Sequence, residues 1–207
     1  MIRTDLIRPI GTLLERHATE RPDQVAFEDS SGAAITYAAM ATRTATLAGH
    51  LQELGIESGD RVAILLPNSV DWVLSCVATL RTAAVSVPIS HDATEAEIRY
   101  RLEDAGCKAI VVSRWHLPLL QSVRAELPLL QQVIVAGTDD PTELQSSEHS
   151  LAHLTRHPAR SNPRDPQDLL ATAFLVYTSG TTGRPKGVML SLHSLSLIHI
   201  SEPTRPY

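Results

Sequence analysis

The sequence has few aromatic residues, few cysteines and no concentrated block of basic charge. Aromatic residues make up 4% of its 207 residues, and 18 Lys and Arg against 23 Asp and Glu give a formal net charge of −5. Nucleic-acid-binding proteins use basic patches to neutralise phosphates, and single-strand binders add aromatic platforms for the bases. The composition therefore argues against a nucleic-acid partner.

Long apolar runs are also missing. The most apolar stretch, residues 70–80, is interrupted by Asp71 and Ser75, whereas a transmembrane helix needs about 20 apolar residues. The first residues lack the apolar run of a signal peptide, and Asp5 and Glu15 are unlike an acid-poor transit peptide. We therefore expect a cytoplasmic protein with no transmembrane segment.

The two cysteines, Cys76 and Cys107, stand apart in apolar surroundings, without CxxC spacing or a nearby histidine. This context predicts buried, reduced thiols rather than a disulfide. His149, His153 and His157 are spaced four apart, as side chains on one helix face would be. Because that segment is polar and Pro158 follows it, we predict no metal site there.

Apolar runs alternate with segments of helical periodicity along most of the chain. The pattern predicts a short helix at residues 12–18, a strand pair at 24–29 and 35–37, strands at 61–66, 84–89, 109–112, 132–136 and 171–177, and helices at 38–54, 69–80, 94–106 and 117–127. Strands that are apolar throughout, alternating with helices, are typical of a parallel sheet covered on both faces. The predicted fold class is therefore α/β. Residues 137–168 lose the periodicity, and we expect a polar surface connection with one or two helical turns.

A loop rich in glycine and hydroxyl residues follows the predicted strand at 171–177. It reads Thr178-Ser179-Gly180-Thr181-Thr182-Gly183-Arg184-Pro185-Lys186-Gly187. Glycines let backbone N–H groups form a concave anion site, hydroxyls add donors, and a lysine adds positive charge. Such a cluster can also be an ordinary flexible turn. A Walker P-loop is disfavoured, because Arg184 and Pro185 stand between the second glycine and Lys186.

Residues 177–188, YTSGTTGRPKGV, resemble the signature loop of the AMP-forming, or adenylate-forming, synthetases: acyl-CoA synthetases, peptide-synthetase adenylation domains and luciferases. Upstream segments at 35–37, 59–68 and 87–89 are similar to the weaker N-terminal motifs of that superfamily, in the same order. The resemblance implies a layered parallel-sheet portion of the large domain of these enzymes, which we place at residues 10–190.

The resemblance implies a ligase that activates a carboxylic acid with Mg-ATP to an acyl-adenylate and pyrophosphate. Coenzyme A, or the phosphopantetheine arm of an acyl or peptidyl carrier protein, then accepts the acyl group. By the pattern of the superfamily, the β- and γ-phosphates are held by Thr178, Ser179, Gly180, Thr181, Thr182, Gly183 and Lys186.

The resemblance weakens near the end of the chain. Leu192 separates Ser191 from His193, where the superfamily has a Ser-His pair, and residues 195–207 resemble a translated sequencing-adapter tail rather than native protein. The superfamily's catalytic lysine, its Mg²⁺-binding glutamate and its ribose-binding aspartate follow the loop at greater distance, so no catalytic residue is assigned within this chain.

We therefore expect the N-terminal fragment of such a ligase, inactive and prone to aggregation when isolated. The alternative is a non-catalytic truncated relative that binds nucleotide or a partner, or a gene remnant. The acid that is activated, and the choice between coenzyme A and a carrier as acceptor, stay open.

Overall fold

The computed structural model describes residues 8–139, 144–163, 165–166, 168–178 and 185–195. The helices are α1 Ile10–Glu20, α2 Tyr37–Glu53, α3 Val70–Arg81, α4 Glu95–Ala105, α5 Leu117–Val123 and α6 Leu151–Arg156. The strands are β1 Val25–Glu28, β2 Ala34–Thr36, β3 Arg61–Leu65, β4 Val85–Pro88, β5 Ala109–Ser113, β6 Gln132–Ala136, β7 Glu148–Ser150, β8 Thr172–Thr178 and β9 Lys186–Ser191.

Seven of these strands form one sheet in the order β7-β6-β5-β3-β4-β8-β9. Every neighbouring pair is parallel except β8 and β9, which run antiparallel. Strands β1 and β2 form a separate antiparallel pair. The α/β fold with a mostly parallel sheet, which the alternation of strands and helices predicts, is confirmed.

Helices cover both faces of the sheet, and β3 shows why its sequence is apolar throughout. Ala63 and Leu65 point into one core, which α4 and α5 complete. Val62 and Ile64 point into the other, which α2, α3 and α6 complete. Successive side chains of a strand alternate between the two faces of a sheet, so a strand covered on both sides needs apolar residues at every position.

Local signals in the sequence set the ends of the helices. Ser69 accepts a hydrogen bond from the Trp72 amide and begins α3. Thr94 and Glu97 form the predicted capping box of α4, which ends at Gly106 in the left-handed conformation. A side-chain acceptor satisfies an amide that has no partner within the helix, and glycine adopts positive φ without steric cost.

Residues 137–168 contain more structure than their composition predicts. Strand β7 pairs with β6 at the edge of the sheet, and Ser150 caps α6, whose Leu151 and Leu154 are buried in the core. The segment therefore extends the sheet as well as connecting β6 with β8. The hydrophobic pattern could not reveal β7, because a three-residue strand is too short to show a period of two.

The three histidines of this segment do not share one helix face. His149 lies on β7 and contacts the Gln132 amide oxygen at 3.0 Å. The rings of His153, in α6, and His157, just after it, stack with their centroids 3.9 Å apart. The four-residue spacing fails to align them because the chain changes from strand to helix at Leu151.

A buried arginine joins the helices on one side of the sheet. The side chain of Arg81, at the end of α3, is 2% exposed. Its guanidinium donates to the Ala41 carbonyl and to Oγ1 of Thr44 in α2, and it forms ion pairs with Glu15 at 2.7 Å and Asp165 at 3.6 Å. Burial raises the pKa of Asp165, and the charge of Arg81 opposes that rise.

Within the described residues, no helix has the length and apolar composition needed to cross a bilayer. Cys76 and Cys107 are both buried and free, as the sequence predicts. Burial raises the pKa of each thiol to about 12.

We predict that Arg81→Met lowers the free energy of unfolding by about 3 kcal/mol, because it removes one partner of a buried hydrogen-bonded charge network. Urea unfolding monitored by circular dichroism measures the change. The matched control is Arg16→Met, since the Arg16 side chain is 58% exposed and its ion pair with Glu20 is 3.9 Å long. That control should cost less than about 0.5 kcal/mol. Equal losses for both variants would contradict this role of Arg81.

We also predict that the two thiols of the folded chain react with a disulfide reagent at pH 8 at least about a hundredfold more slowly than those of the unfolded chain. The thiolate is the reacting form, and burial both raises the thiol pKa and blocks access. Absorbance of the released thiol, with and without guanidinium, measures both rates. Rapid reaction of either cysteine in the folded chain would refute the burial described above.

Candidate functional site

The ends of the predicted phosphate loop meet across the β8–β9 hairpin. These strands pair antiparallel, with Thr178, the last residue of β8, directly opposite Lys186, the first residue of β9. Two of the seven predicted site residues are thus brought side by side. The other five, Ser179, Gly180, Thr181, Thr182 and Gly183, lie outside the described residues.

The loop begins at the edge of the sheet where ligands bind in open α/β folds. Strand β8 lies parallel to β4, so its carboxyl end points to the same edge as those of the other parallel strands. Ligands of such sheets bind in the crevices outside the carboxyl ends of the strands. The fold therefore places the loop at a position suited to a small-molecule site.

The described part of the loop can offer a cation and a hydroxyl to an anion. Lys186 and Thr178 are both exposed, and no described carboxylate forms an ion pair with Lys186. An ammonium group that is not neutralised by a neighbouring acid can interact with phosphate as a point charge, and a threonine hydroxyl can donate a hydrogen bond beside it. This pair suits the binding of phosphate.

Gly187 allows the two strands of the hairpin to pack closely at the base of the loop. It lies opposite Tyr177, and a Cβ atom at this position would be 2.9 Å from Cδ1 of Leu175 and 3.5 Å from Cζ of Tyr177. The ring of Tyr177 therefore lies over the backbone of Gly187. A side chain at residue 187 would have to displace Leu175 or the tyrosine ring.

Helix α4 contacts both ends of the loop. The hydroxyl of Tyr177, the residue before Thr178, donates to Oδ2 of Asp104 at 2.6 Å. The hydroxyl of Tyr100 donates to the carbonyl of Pro185, the residue before Lys186, at 3.1 Å. The rings of Tyr100 and Tyr177 meet edge to face, with centroids 6.2 Å apart.

Burial raises the pKa of Tyr177, and its hydrogen bond to Asp104 raises it further. The Tyr177 hydroxyl therefore keeps its proton at neutral pH and acts as a donor. Sequence reasoning missed Tyr100 and Asp104. Their four-residue spacing within a predicted helix places them on one face, but nothing in the sequence shows that this face lies against β8 and β9.

In addition to the loop, the structure has a cleft of about 470 Å³ at the carboxyl ends of β3, β5 and β6. Its lining includes Pro67, Asp71 and Trp115, and Trp115 is 91% exposed. Burial raises the pKa of Asp71, and Arg43, 3.9 Å away, opposes that rise. Because the order of the strands reverses at β3, this cleft also lies where doubly wound sheets bind ligands.

Comparisons with known proteins match most of the chain. A family model described as AMP-binding enzyme matches residues 14–201. The long-chain-fatty-acid–CoA ligase FadD13 of Mycobacterium tuberculosis is 32% identical over 196 residues, which are 93% of this chain and 36% of that protein. Tyrocidine synthase 2 of Brevibacillus parabrevis is 33% identical over 183 residues, 87% of this chain and 4% of that protein.

Among solved structures, the anthranilate CoA ligase AuaEII in complex with anthranoyl-AMP superposes with a TM-score of 0.82 at 26% identity. The match covers 95% of this chain and 38% of that one. This chain thus spans about a third of the length of the CoA ligases that it matches. With the family model spanning most of the chain and a relative above 30% identity, the chain belongs to the AMP-binding enzyme family.

Proposed function

We propose that this chain forms the phosphate-binding part of an ATP-dependent ligase that activates a carboxylic acid as an acyl-adenylate. The observation that carries the proposal is the pairing of Thr178 with Lys186 at the carboxyl edge of the sheet. Membership in the AMP-binding family supports it, and so does the likeness to a ligase solved with an acyl-adenylate.

In this reaction the carboxylate of the acid attacks the α-phosphorus of ATP. A bond forms between the carboxyl oxygen and the phosphorus, and the bond from the phosphorus to the bridging oxygen breaks, so pyrophosphate leaves with the electron pair. Negative charge builds on the leaving pyrophosphate. Donors and cations already in place around the β- and γ-phosphates stabilise that charge without reorganising.

The residues of this chain supply that stabilisation. The ammonium of Lys186 neutralises charge on the leaving group, and the Thr178 hydroxyl donates to a phosphate oxygen. We assign the same binding role to Ser179, Gly180, Thr181, Thr182 and Gly183. The described residues fit a phosphate group, because Lys186 has no ion-pair partner among them that would compete with it.

Mg²⁺ neutralises phosphate charge when it binds together with ATP. Among the described residues, no group of three or more His, Cys, Asp and Glu side chains is arranged to hold a metal ion. We therefore assign no metal ligand among the described residues.

The proposal also concerns the identity of the thiol that accepts the acyl group. Relatives include ligases named for coenzyme A as well as a peptide synthase. We therefore propose either coenzyme A or a carrier-bound phosphopantetheine as acceptor, and a small-molecule carboxylic acid as the acyl donor.

We predict that Lys186→Ala weakens binding of magnesium pyrophosphate to this chain by about tenfold or more, since one charge-assisted contact is lost. Isothermal titration calorimetry measures the dissociation constant. Binding is the suitable readout because the chain spans about a third of the matched CoA ligases. Pyrophosphate isolates the contribution of the phosphates from that of the adenosine.

The matched control is Lys108→Ala, which changes the only other lysine of the chain. Lys108 pairs with Asp60 at 2.7 Å and lies just before β5. It is therefore at the amino ends of the parallel strands, whereas the loop follows the carboxyl end of β8. Binding by the control should stay within about twofold of the original. The assignment of Lys186 fails if its substitution leaves pyrophosphate binding unchanged.

A further inference from the structure

The hairpin that carries the proposed phosphate loop joins the sheet where β8 lies beside β4. Strand β8 meets β4 at a single recorded pair, Ser86 with Phe174, whereas β3 pairs with β4 at four positions. Strand β9 is the edge of the sheet, and its Val188 and Met189 are exposed. The paired position lies near the start of β8, and Leu175 and Tyr177, nearer its carboxyl end, pack against the core.

Helix α4 supplies further contacts at the carboxyl end of β8, where the loop begins. Tyr100 and Asp104 lie four residues apart, so their side chains project from the same face of the helix. Each makes one hydrogen bond to the hairpin, Tyr100 to Pro185 at 3.1 Å and Asp104 to Tyr177 at 2.6 Å. The contacted residues directly precede Lys186 and Thr178.

The bond from Tyr100 fixes the peptide that carries the Lys186 amide. Proline has no N–H, so the carbonyl is the one backbone group of Pro185 that can form a hydrogen bond. That carbonyl belongs to the same planar peptide unit as the Lys186 N–H. Holding the carbonyl therefore sets the direction in which the chain enters β9 and the position from which the lysine side chain extends.

The hydrogen bond that Asp104 accepts from the Tyr177 hydroxyl fixes the other end of the loop. It holds the ring of Tyr177 against α4, where the ring also lies over Gly187 and meets Tyr100 edge to face. Tyr177 is half-buried, and an aromatic ring that packs on one side with its hydroxyl bonded has few alternative positions. The backbone from Tyr177 to Thr178 is therefore tied to the same helix as that from Pro185 to Lys186.

We propose that Tyr100 and Asp104 are positioning residues that hold the two ends of the phosphate loop at the spacing needed to bind pyrophosphate. The inference rests on the proposed function, because it assigns a role in phosphate binding to residues that do not themselves contact phosphate. Anchoring the two ends of a binding loop reduces the conformational freedom that binding must remove.

The test compares Tyr100→Phe, which keeps the ring and removes the bond to Pro185, with the unchanged chain. We expect magnesium pyrophosphate to bind about threefold to tenfold more weakly, the range set by one neutral hydrogen bond. Amide hydrogen exchange at Lys186 and Gly187 should accelerate by a similar factor, while the thermal unfolding midpoint stays within about 2 °C of the original. Tyr37→Phe is the matched control, since Tyr37 packs against His17 and Arg21 rather than the hairpin.

Two variants of Asp104 distinguish the effect of losing its hydrogen bond from the effect of changing the packing of α4. Asp104→Ala removes the acceptor and should weaken binding and accelerate exchange as Tyr100→Phe does. Asp104→Asn keeps an acceptor oxygen and should restore most of the binding. Glu103→Gln, which changes an exposed acid beside Asp104 on the same helix, should have no effect beyond about twofold.

A double variant distinguishes positioning from a general loss of structure. If Tyr100 acts through the loop, Tyr100→Phe should change pyrophosphate binding less than about twofold when Lys186 is already alanine. An equal loss in both backgrounds, together with a lower unfolding midpoint, would overturn the inference.

The inference and the proposed function fail in different ways. If the unchanged chain does not bind magnesium pyrophosphate, the proposed function is wrong. If it binds and Lys186→Ala weakens binding, but Tyr100→Phe alters neither exchange nor affinity, the proposed function stands and the inference is wrong. Faster exchange with unchanged affinity likewise overturns the inference, because the anchored ends would then not set the affinity.

Discussion

Strand β3 is buried on both faces, and its neighbours in the sheet are the parallel strands β4 and β5. Parallel neighbours cannot be joined by tight turns, so the chain must cross over the sheet between them, and α3 and α4 do so on opposite faces. Because of these crossings, the carboxyl ends of all the parallel strands lie along the same edge of the sheet. The proposed phosphate loop begins at that edge because β8 joins the parallel set.

Strand β9 departs from the parallel pattern, and this departure forms the base of the candidate site. A helix after β8 would carry the chain away from the edge, whereas the antiparallel return of β9 brings Lys186 back beside Thr178. The return has a structural cost, since β9 becomes an edge strand with Val188 and Met189 exposed and open backbone groups on its outer side. The site therefore lies in the part of the described sheet that is least protected by packing.

The hydrophobic pattern was sufficient to predict the parallel core, because β3, β5 and β6 need apolar residues on both faces and α4 carries its own capping box. It could not predict β7, whose three residues are polar and take their strand conformation from pairing with β6. The composition of the loop predicted a phosphate site. The opposition of Thr178 and Lys186 depends on the strand register, which composition does not determine. The contacts of Tyr100 and Asp104 depend on tertiary packing between elements more than 70 residues apart in the chain.

Helix α4 performs two tasks with different faces. Ile98 and Leu102 bury its inner face in the core, which fixes the helix relative to β3 and β5. Tyr100 and Asp104 project from another part of its surface and reach the hairpin. Tyr100 and Asp104 can limit the motion of the hairpin only if α4 itself is rigid. A helix packed on a close-packed core meets that condition. The contacts from α4 therefore fix Tyr177 and Pro185, the residues next to Thr178 and Lys186, relative to the core.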